Sequence, residues 1–223
     1  MSVSEGTKQL ETWKSEFGKN YTDRNPSSAI EMDTILGDYY AGVKKSDIFR
    51  RFISSDRLPS GRVLEVGCNV GAQLGILNSV NPKPELYGID PQSYALARAR
   101  ELNPGFHFLP ANAFDLPFKD EYFDLVMTND VLIHIHPADL PRALDEIYRV
   151  SKRYIFCHEY FSKKVTQVNY KGQDGLLWKM DFASQYLKQF ERLAVVKLDY
   201  LTYPDPDGGP ELMHQTALLE KKL

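Results

Sequence analysis

The segment VLEVGCNVGAQLG, residues 63–75, constrains the fold of this 223-residue chain more than any other. A mostly apolar pattern typical of a buried strand leads into Gly67 and Gly71, and a helical pattern follows directly. Glycine allows a sharp turn and lets a ligand approach both the backbone and the helix N-terminus. The segment therefore predicts a strand, a tight turn and a helix, with a ligand site at the turn.

Strand and helix patterns alternate after this segment. RVLEVG, ELYGID and FDLVMTND are strand-like, and each precedes a helical pattern: AQLGILNSV, YALARAREL and LPRALDEIYRVS. FHFLPAN and RYIFCHEY add two strands, and LAVVKLDYLTY and MHQTALLEKKL end the chain on either side of PDPDGGPE. Because this separator is too short for a crossover helix, the last two strands are expected to form an antiparallel hairpin. The pattern predicts an α/β fold with a seven-stranded, mostly parallel sheet and helices on both faces.

The regions outside this alternation are expected to cover the sheet within a single domain, residues 1–223. Apolar residues at spacings of three and four predict helices over 7–20 and 33–55, joined by the loop NYTDRNPSS. Residues 1–59 are expected to form an N-terminal helical cap, and residues 60–223 the core. Residues 161–182 are expected to form a loop-rich flap over the substrate.

Composition narrows the function classes. A formal net charge of −3 and a pI near 6.0 indicate no broad basic surface, so a nucleic-acid partner is not expected. No window approaches the roughly 18 apolar residues of a membrane helix, and the N-terminus lacks a secretory pattern, which predicts a cytoplasmic protein without a membrane partner. Cys68 and Cys157 follow no metal or redox spacing and are expected to be buried and reduced. The expected partner is a small molecule, and a homodimer is the assembly to consider.

The residues around the turn indicate which ligand fits. Asp90 ends the next strand, 23 residues after Gly67, where a carboxylate can accept hydrogen bonds from both ribose hydroxyls. Asn69 replaces the middle glycine of the dinucleotide pattern G-x-G-x-x-G, and Glu65 just before the turn would oppose a pyrophosphate. S-adenosylmethionine fits better, because it has a ribose, an ammonium and a sulfonium but no phosphate.

Four motifs extend this argument to a family. VLEVGCNVG, YGID, ANAFDLPF and FDLVMTNDVLIHI resemble, in order and spacing, the motifs of class I S-adenosylmethionine-dependent methyltransferases with a Rossmann-like sheet. The resemblance covers about residues 60–223. It implies a methyltransferase that converts S-adenosylmethionine to S-adenosylhomocysteine. The cofactor contacts it implies are Glu65 near the methionyl amino group, Gly67, Asn69 and Gly71 around the cofactor, Asp90 and Pro91 at the ribose, Asn112, Ala113 and Phe114 at the adenine, and Asn129 near the methionine moiety. The family usually has an aspartate where this chain has Asn112.

A narrower resemblance concerns the acceptor. WKSEFGKNYTDRN, VLIHIHP, RYIFCHEYF and NYKGQDGLLWKMDFA are similar to methylases associated with pseudaminic acid biosynthesis. This resemblance implies a sugar or nucleotide sugar of surface-glycan biosynthesis as the acceptor. Methyl transfer to an amine or a hydroxyl would both be compatible with it.

Candidate catalytic residues follow the fourth and fifth strands, at the edge where ligands bind in such sheets. His134 is expected to act as a general base and His136 to contact the substrate, although either could simply satisfy backbone groups in a loop. Glu159 could orient a histidine or take a proton, with Tyr160 as a pocket wall, or it could form a surface ion pair. No metal site is predicted, because two histidines two residues apart are not a metal pattern.

Two further segments are candidates for ligand contacts. Tyr170, Trp178, Lys179 and Asp181 lie in the flap, where aromatic rings beside charges suit a sugar, unless Trp178 only anchors the loop to the core. Arg24, assisted by Tyr21, could clamp the methionine carboxylate, unless it is a surface arginine. The alternatives to a sugar methyltransferase are a methyltransferase of a natural product or amino-acid derivative, and a non-catalytic cofactor-binding scaffold.

Overall fold

The computed structural model describes residues 7–26, 28–58, 60–205 and 209–222. The helices in these ranges are α1 (Lys8–Lys14), α2 (Glu16–Arg24), α3 (Ala29–Tyr39), α4 (Lys45–Phe52), α5 (Ala72–Val80), α6 (Ser93–Leu102), α7 (Leu140–Val150) and α8 (Phe182–Gln189), with a 3₁₀ turn at Leu132–His134. The strands are β1 (Arg62–Val66), β2 (Glu85–Asp90), β3 (His107–Pro110), β4 (Phe123–Asn129), β5 (Ser151–Tyr160), β6 (Thr166–Tyr170), β7 (Gln173–Lys179), β8 (Leu193–Tyr203) and β9 (Leu212–Lys221).

Seven strands form one mixed sheet in the order β3-β2-β1-β4-β5-β9-β8. Neighbours from β3 to β5 pair in parallel, whereas β9 runs antiparallel to both β5 and β8. The predicted fold, including the C-terminal antiparallel hairpin, is confirmed.

Strand β1 shows why the central strands are apolar on both faces. Its side chains alternate, so that Leu64 and Val66 pack into a core that includes residues of α7 and α8. Val63 packs on the opposite face with residues of α4, α5 and α6. Helices on both sides leave neither face of the strand in water, and a mostly apolar run results. Cys68 and Cys157 are buried and free, as expected.

The N-terminal helices differ from the prediction. The predicted helix over 7–20 breaks at Ser15, whose hydroxyl oxygen accepts a hydrogen bond from the Phe17 N–H and so caps a new helix. Helix α2 then continues to Arg24, through residues predicted as loop. The predicted helix over 33–55 is two helices, because Ala41 and Gly42 have positive φ angles of 54° and 97° and end α3.

The predicted loop-rich flap also contains regular structure. Strands β6 and β7 form a separate two-stranded antiparallel hairpin, so the prediction of loop was wrong there. The predicted turn at 204–211 includes residues 206–208, which lie outside the described residues. The division into a cap and a core within one domain stays a prediction. No helix in the described part of the chain is long and apolar enough to cross a bilayer.

Candidate functional site

The turn after β1 has no room for side chains at its glycines. Gly67 and Gly71 have φ angles of 72° and 76°, in the left-handed region. A Cβ at Gly67 would lie 2.5 Å from a methyl group of Val131, and one at Gly71 would lie 2.8 Å from the ring of Phe108. Glycine is therefore required at both positions, and the backbone between them lies open to a ligand.

Asp90 is fixed beside this turn by backbone donors. Its Oδ2 accepts a hydrogen bond from the Asn69 N–H at 2.9 Å, and its Oδ1 accepts one from the Gln92 N–H at 2.8 Å. Burial raises the pKa of Asp90 to about 6, against the opposing effect of these two hydrogen bonds. The carboxyl group is thus positioned at the carboxyl end of β2, where the sequence places a ribose contact.

Glu65 is a buried acid with only half of its hydrogen-bonding capacity satisfied. Its Oε1 accepts a hydrogen bond from the Asn129 side-chain amide at 3.0 Å, whereas its Oε2 has no protein partner. Burial raises the pKa of Glu65 to about 8, although Asn129 and the nearby Lys45 ammonium oppose the shift. Burial therefore favours the protonated form of this carboxyl group.

These residues share the wall of one cavity of about 390 Å³. The carboxyl ends of β1, β2 and β4 form its floor, and residues from α1, α2 and α3 cover it. Five buried polar atoms without a protein partner belong to side chains of this wall: Trp13 Nε1, Glu65 Oε2, Asn69 Oδ1, Gln73 Oε1 and Asn129 Oδ1. Because buried polar groups in folded proteins are nearly always paired, this cluster indicates a polar ligand.

The charges in the wall indicate which kind of ligand. Among the described residues that line the cavity, Arg24 is the one with a permanent positive charge, and Glu65, Asp90 and Asp130 carry carboxyl groups. Such a wall favours a cationic ligand and has little to hold a pyrophosphate. Tyr21 and Arg24 line the cavity from α2, a helix, and not from the loop on which they were predicted.

The predicted adenine contacts also lie in this wall. Pro91, Asn112, Ala113 and Phe114 line the cavity together. The Oδ1 of Asn112 accepts a hydrogen bond from the Phe114 N–H at 2.9 Å, an interaction that an aspartate could make equally well. The asparagine therefore preserves the local turn.

His134 lines the same cavity. Its Nδ1 lies 2.7 Å from the Leu176 carbonyl oxygen, which can only accept, so Nδ1 carries the proton in the neutral ring. The ring packs edge-on against Trp13, with centroids 4.6 Å apart. Burial lowers the pKa of His134 to about 4, so the side chain is neutral at physiological pH.

Glu159 does not line the cavity. It is fully buried below the 3₁₀ turn, and its Oε2 accepts a hydrogen bond from the Ile133 N–H at 3.4 Å. Its Oε1 has no protein partner, and burial together with Asp130 raises its pKa to about 8. Glu159 therefore does not form the exposed ion pair that was considered for it. Its side chain also does not line the cavity.

All six predicted substrate contacts lie outside the cavity wall: His136, Tyr160, Tyr170, Trp178, Lys179 and Asp181. Trp178 is buried in the core and contacts the ring of His136 edge-on at 5.1 Å. The Lys179 ammonium lies 5.0 Å from the centroid of the Tyr160 ring. Trp178 therefore anchors the hairpin, which was the alternative considered for it.

The other two predicted flap contacts have different surroundings. Asp181 caps α8, since its carboxylate accepts hydrogen bonds from Ser184 and Gln215. Tyr170 packs against the ring of His134 at 5.1 Å and so lies behind a residue of the cavity wall. The hairpin supports the wall through Tyr170 without lining it.

Sequence reasoning missed several residues of the wall. Trp13, Gln73 and Asp130 line the cavity but were not among the predicted site residues. Asp130 had a usable signal, because it follows the last residue of β4 and Asn129 had already been placed in the site. Trp13 had none, because helix α1 is far from β1 in sequence and only the tertiary structure places it there.

The cavity therefore combines a turn with two obligatory glycines and an acid at the end of the next strand. Several of its lining side chains hold buried polar atoms without a protein partner. Residues 64–154 match the model of a methyltransferase domain. The matched residues include the end of β1 and all of β2 and β4, and these strands contribute Glu65, Asp90 and Asn129 to the site. The methyltransferase-domain match spans 91 of the 223 residues and agrees with a site for S-adenosylmethionine at this turn.

Known proteins resemble the chain over different lengths. It is 28% identical over 151 residues to a phthiotriol/phenolphthiotriol dimycocerosates methyltransferase of Mycobacterium leprae, a match that covers 66% of this chain but only 52% of that protein. Its fold resembles that of magnesium protoporphyrin IX methyltransferase from Synechocystis, with a TM-score of 0.69, 14% identity and coverage of 99% and 100% of the two chains. The 1,6-didemethyltoxoflavin-N1-methyltransferase of Burkholderia thailandensis is similar, with a TM-score of 0.68, 15% identity and coverage of 100% and 93%. At these identities the two structures show the fold alone.

Proposed function

We propose that the protein is an S-adenosylmethionine-dependent methyltransferase acting on a hydroxyl or amine of a small-molecule acceptor. The observation that carries the proposal is a cavity beside the obligatory glycine turn, lined by five side chains that each hold a buried polar atom without a protein partner. A volume of about 390 Å³ is within the range of small-molecule sites. When bound, S-adenosylmethionine would supply an electrophilic methyl group.

Different residues of the wall would bind different parts of S-adenosylmethionine. Asp90 would accept hydrogen bonds from the ribose, Glu65 would receive the ammonium group, and Arg24 would pair with the carboxylate. Helices α1 and α2 cover the site and would exclude water from the transfer, which depends mainly on alignment and desolvation.

The acceptor class follows from the side chains that line the cavity. Leu10, Met32, Ile35 and Leu36 contribute an apolar surface from the N-terminal helices. An acceptor whose hydroxyl or amine stands on an apolar or aromatic body suits this surface. A sugar of surface-glycan biosynthesis is less well supported, because Trp178, Lys179 and Asp181, which were expected to contact it, lie outside the wall.

Calorimetric titration with S-adenosylmethionine and S-adenosylhomocysteine tests the cofactor assignment. The parent is expected to bind both, and Asp90→Ala to bind at least about tenfold more weakly, because a hydrogen bond to a charged group contributes about 1.5–3 kcal/mol. Asp47→Ala removes an exposed carboxylate of α4 and serves as the control, with affinity like the parent's. No binding of either compound to the parent would overturn the proposal.

An acceptor panel tests the reaction class. Phenols, hydroquinones, aromatic amines, amino sugars and nucleotide sugars are each supplied with S-adenosylmethionine, and S-adenosylhomocysteine formation is measured. Turnover with the aromatic compounds is the expected result. Turnover with the sugars alone would overturn the apolar acceptor, and cofactor binding with no turnover over a wide panel would favour a non-catalytic scaffold.

A further inference from the structure

Asp130 occupies an unusual backbone conformation at the edge of the cavity. It directly follows β4, has a φ angle of 55°, and lines the cavity. Its N–H donates a hydrogen bond to the His158 carbonyl oxygen at 3.0 Å, which helps to hold this conformation. Left-handed backbone at a residue other than glycine is costly and is concentrated at functional sites.

A buried hydrogen-bonded chain runs from Asp130 into the interior. Its Oδ1 lies 2.7 Å from the Nε2 of His214, and the Nδ1 of His214 lies 2.6 Å from the Tyr203 hydroxyl. Because an ionised carboxylate only accepts, the Nε2 N–H of His214 donates to Asp130, and the Tyr203 hydroxyl is the hydrogen-bond partner of Nδ1. His214 is fully buried, whereas the Asp130 side chain keeps 31% of its exposure. The chain therefore ends at one open group, the Asp130 carboxylate.

The surroundings keep Asp130 ionised. Burial by itself would raise the pKa of Asp130, but the hydrogen bond from His214 and the positive charge of Lys45 oppose this effect, and the pKa lies below the ordinary value. The other ionisable groups that interact with this carboxylate are Glu159, Cys157, Tyr21, Tyr40, Tyr160, Tyr170 and Tyr203. Among the described carboxyl groups of the cavity wall, Asp130 is the one with a lowered pKa.

We propose that Asp130 binds the acceptor's reacting hydroxyl and takes its proton during methyl transfer, and that His214 positions Asp130. This inference rests on the proposed function. The acceptor oxygen forms the bond to the methyl carbon, the electron pair of the broken carbon–sulfur bond stays on sulfur, and the hydroxyl proton passes to Asp130 Oδ2. A methylated hydroxyl that still holds its proton is a strong acid, so even a weakly basic carboxylate accepts it. The fixed negative charge also stabilises the positive charge that develops on the acceptor oxygen.

The same side chains raise the question of a metal site. Asp130, His158 and His214 each offer a ligand atom, all within 4.8 Å of one another. The two imidazole rings, however, are stacked with planes only 16° apart, so their nitrogen lone pairs run nearly parallel instead of converging. The buried Lys45 ammonium also lies near enough to help keep the pKa of His158 well below its ordinary value, after burial itself, and would repel a cation. The geometry favours the hydrogen-bonded pair.

An experiment that needs no acceptor comes first. In ¹⁵N-histidine-labelled protein, the His214 resonances are assigned with His214→Gln and followed in the empty, S-adenosylhomocysteine-bound and S-adenosylmethionine-bound states. His214 is expected to carry its proton on Nε2, and its resonances are expected to shift in Asp130→Asn. They are also expected to shift more with S-adenosylmethionine than with S-adenosylhomocysteine, because the sulfonium charge acts on Asp130. A His214 signal unmoved by Asp130→Asn, or moved equally by the two cofactor forms, would overturn the proposal.

Kinetic measurements with an acceptor from the panel then distinguish a loss of catalysis from a loss of folding or cofactor binding. Asp130→Asn is expected to lower kcat about 10²-fold while cofactor affinity changes less than about threefold. His214→Gln is expected to lower kcat about tenfold and to move the acid limb of the pH profile to higher pH, because His214 lowers the pKa of Asp130. Tyr200→Phe, at a half-exposed position of β8, is the control. Normal cofactor binding with undiminished turnover in Asp130→Asn would overturn the role of Asp130, whereas absent cofactor binding in the parent would overturn the proposed function.

Discussion

The side-chain amide of Asn129 donates a hydrogen bond to the Glu65 carboxyl group at 3.0 Å, entirely within the protein interior. This bond joins the carboxyl ends of the neighbouring parallel strands β1 and β4 inside the cavity. It leaves the second Glu65 oxygen unpartnered, and burial raises the pKa of the group to about 8. A cationic ligand beside this oxygen would favour the ionised carboxylate and so lower this pKa.

Binding of S-adenosylmethionine at pH 6.5 is expected to release close to one proton. Without ligand, the Glu65 pKa of about 8 favours the protonated form at this pH, whereas the ligand's ammonium favours the ionised form, so affinity is expected to rise with pH up to about 8. Calorimetry in two buffers of different ionisation enthalpy measures the release. Glu65→Gln should abolish it, and adenosine, which lacks the amino group, should release none from the parent. Equal release by parent and variant would contradict the assignment.

Glu159 is expected to make the protein less stable as the pH rises. Its folded-state pKa of about 8 lies above the ordinary value of 4.5, so the folded state binds more protons and loses stability between these two pH values. Glu159→Gln should lessen the fall in Tm between pH 5 and pH 8. In free energy of unfolding, the difference should be at least about 1 kcal/mol, since one pKa unit corresponds to about 1.4 kcal/mol. Glu191→Gln, at an exposed position, should leave the fall unchanged. An identical fall in Glu159→Gln would refute this explanation.

Gly67→Ala is expected to lower the free energy of unfolding by about 2–3 kcal/mol relative to the parent. The new Cβ would lie 2.5 Å from a Val131 methyl group and would force a left-handed alanine, which alone costs about 1–2 kcal/mol. Gly172→Ala is the matched control, because Gly172 has a similar positive φ, 78°, but a Cβ added there would have no atom within 4 Å. Denaturant unfolding of both variants separates the contact with Val131 from backbone strain. Equal losses of unfolding free energy in the two variants would mean that the contact with Val131 does not destabilise Gly67→Ala.

Trp13 is expected to report occupancy of the cavity through its fluorescence. It lines the cavity and its indole N–H has no protein partner, whereas Trp178 is buried outside the wall. S-adenosylhomocysteine should change the emission of the parent and of Trp178→Phe, but not that of Trp13→Phe. A change that disappears only in Trp178→Phe would show that the hairpin, and not α1, senses the ligand.

Arg24→Ala is expected to weaken binding of S-adenosylmethionine about tenfold or more, through loss of a charge-assisted pair with the ligand's carboxylate. Arg98→Ala serves as the control, because Arg98 pairs with Asp23 on α2 without lining the cavity. Titration calorimetry compares the two variants. Affinity equal to the parent's in Arg24→Ala would remove Arg24 from the site.

Local patterns determined most of the fold. Apolar runs and helical spacing predicted each strand of the sheet, and the short separator before β9 predicted its antiparallel direction. The errors fell at the N-terminal helices and in β6 and β7. Ser15 both ends one helix and caps the next, and the hairpin is polar along much of its length, so periodicity had little signal in either place.

The sequence by itself determined the residues around the glycine turn, because Glu65, Gly67, Asn69, Gly71 and Asp90 lie on two consecutive strand ends whose parallel pairing makes them neighbours. Only the tertiary structure decided what surrounds them. Trp13 from α1 and His214 from β9 reach the site from opposite ends of the chain, and the burial that shifts the pKa of Glu65 depends on helices packed over it. Such effects depend on which side chains share a low-dielectric interior, and a linear pattern carries no information about that.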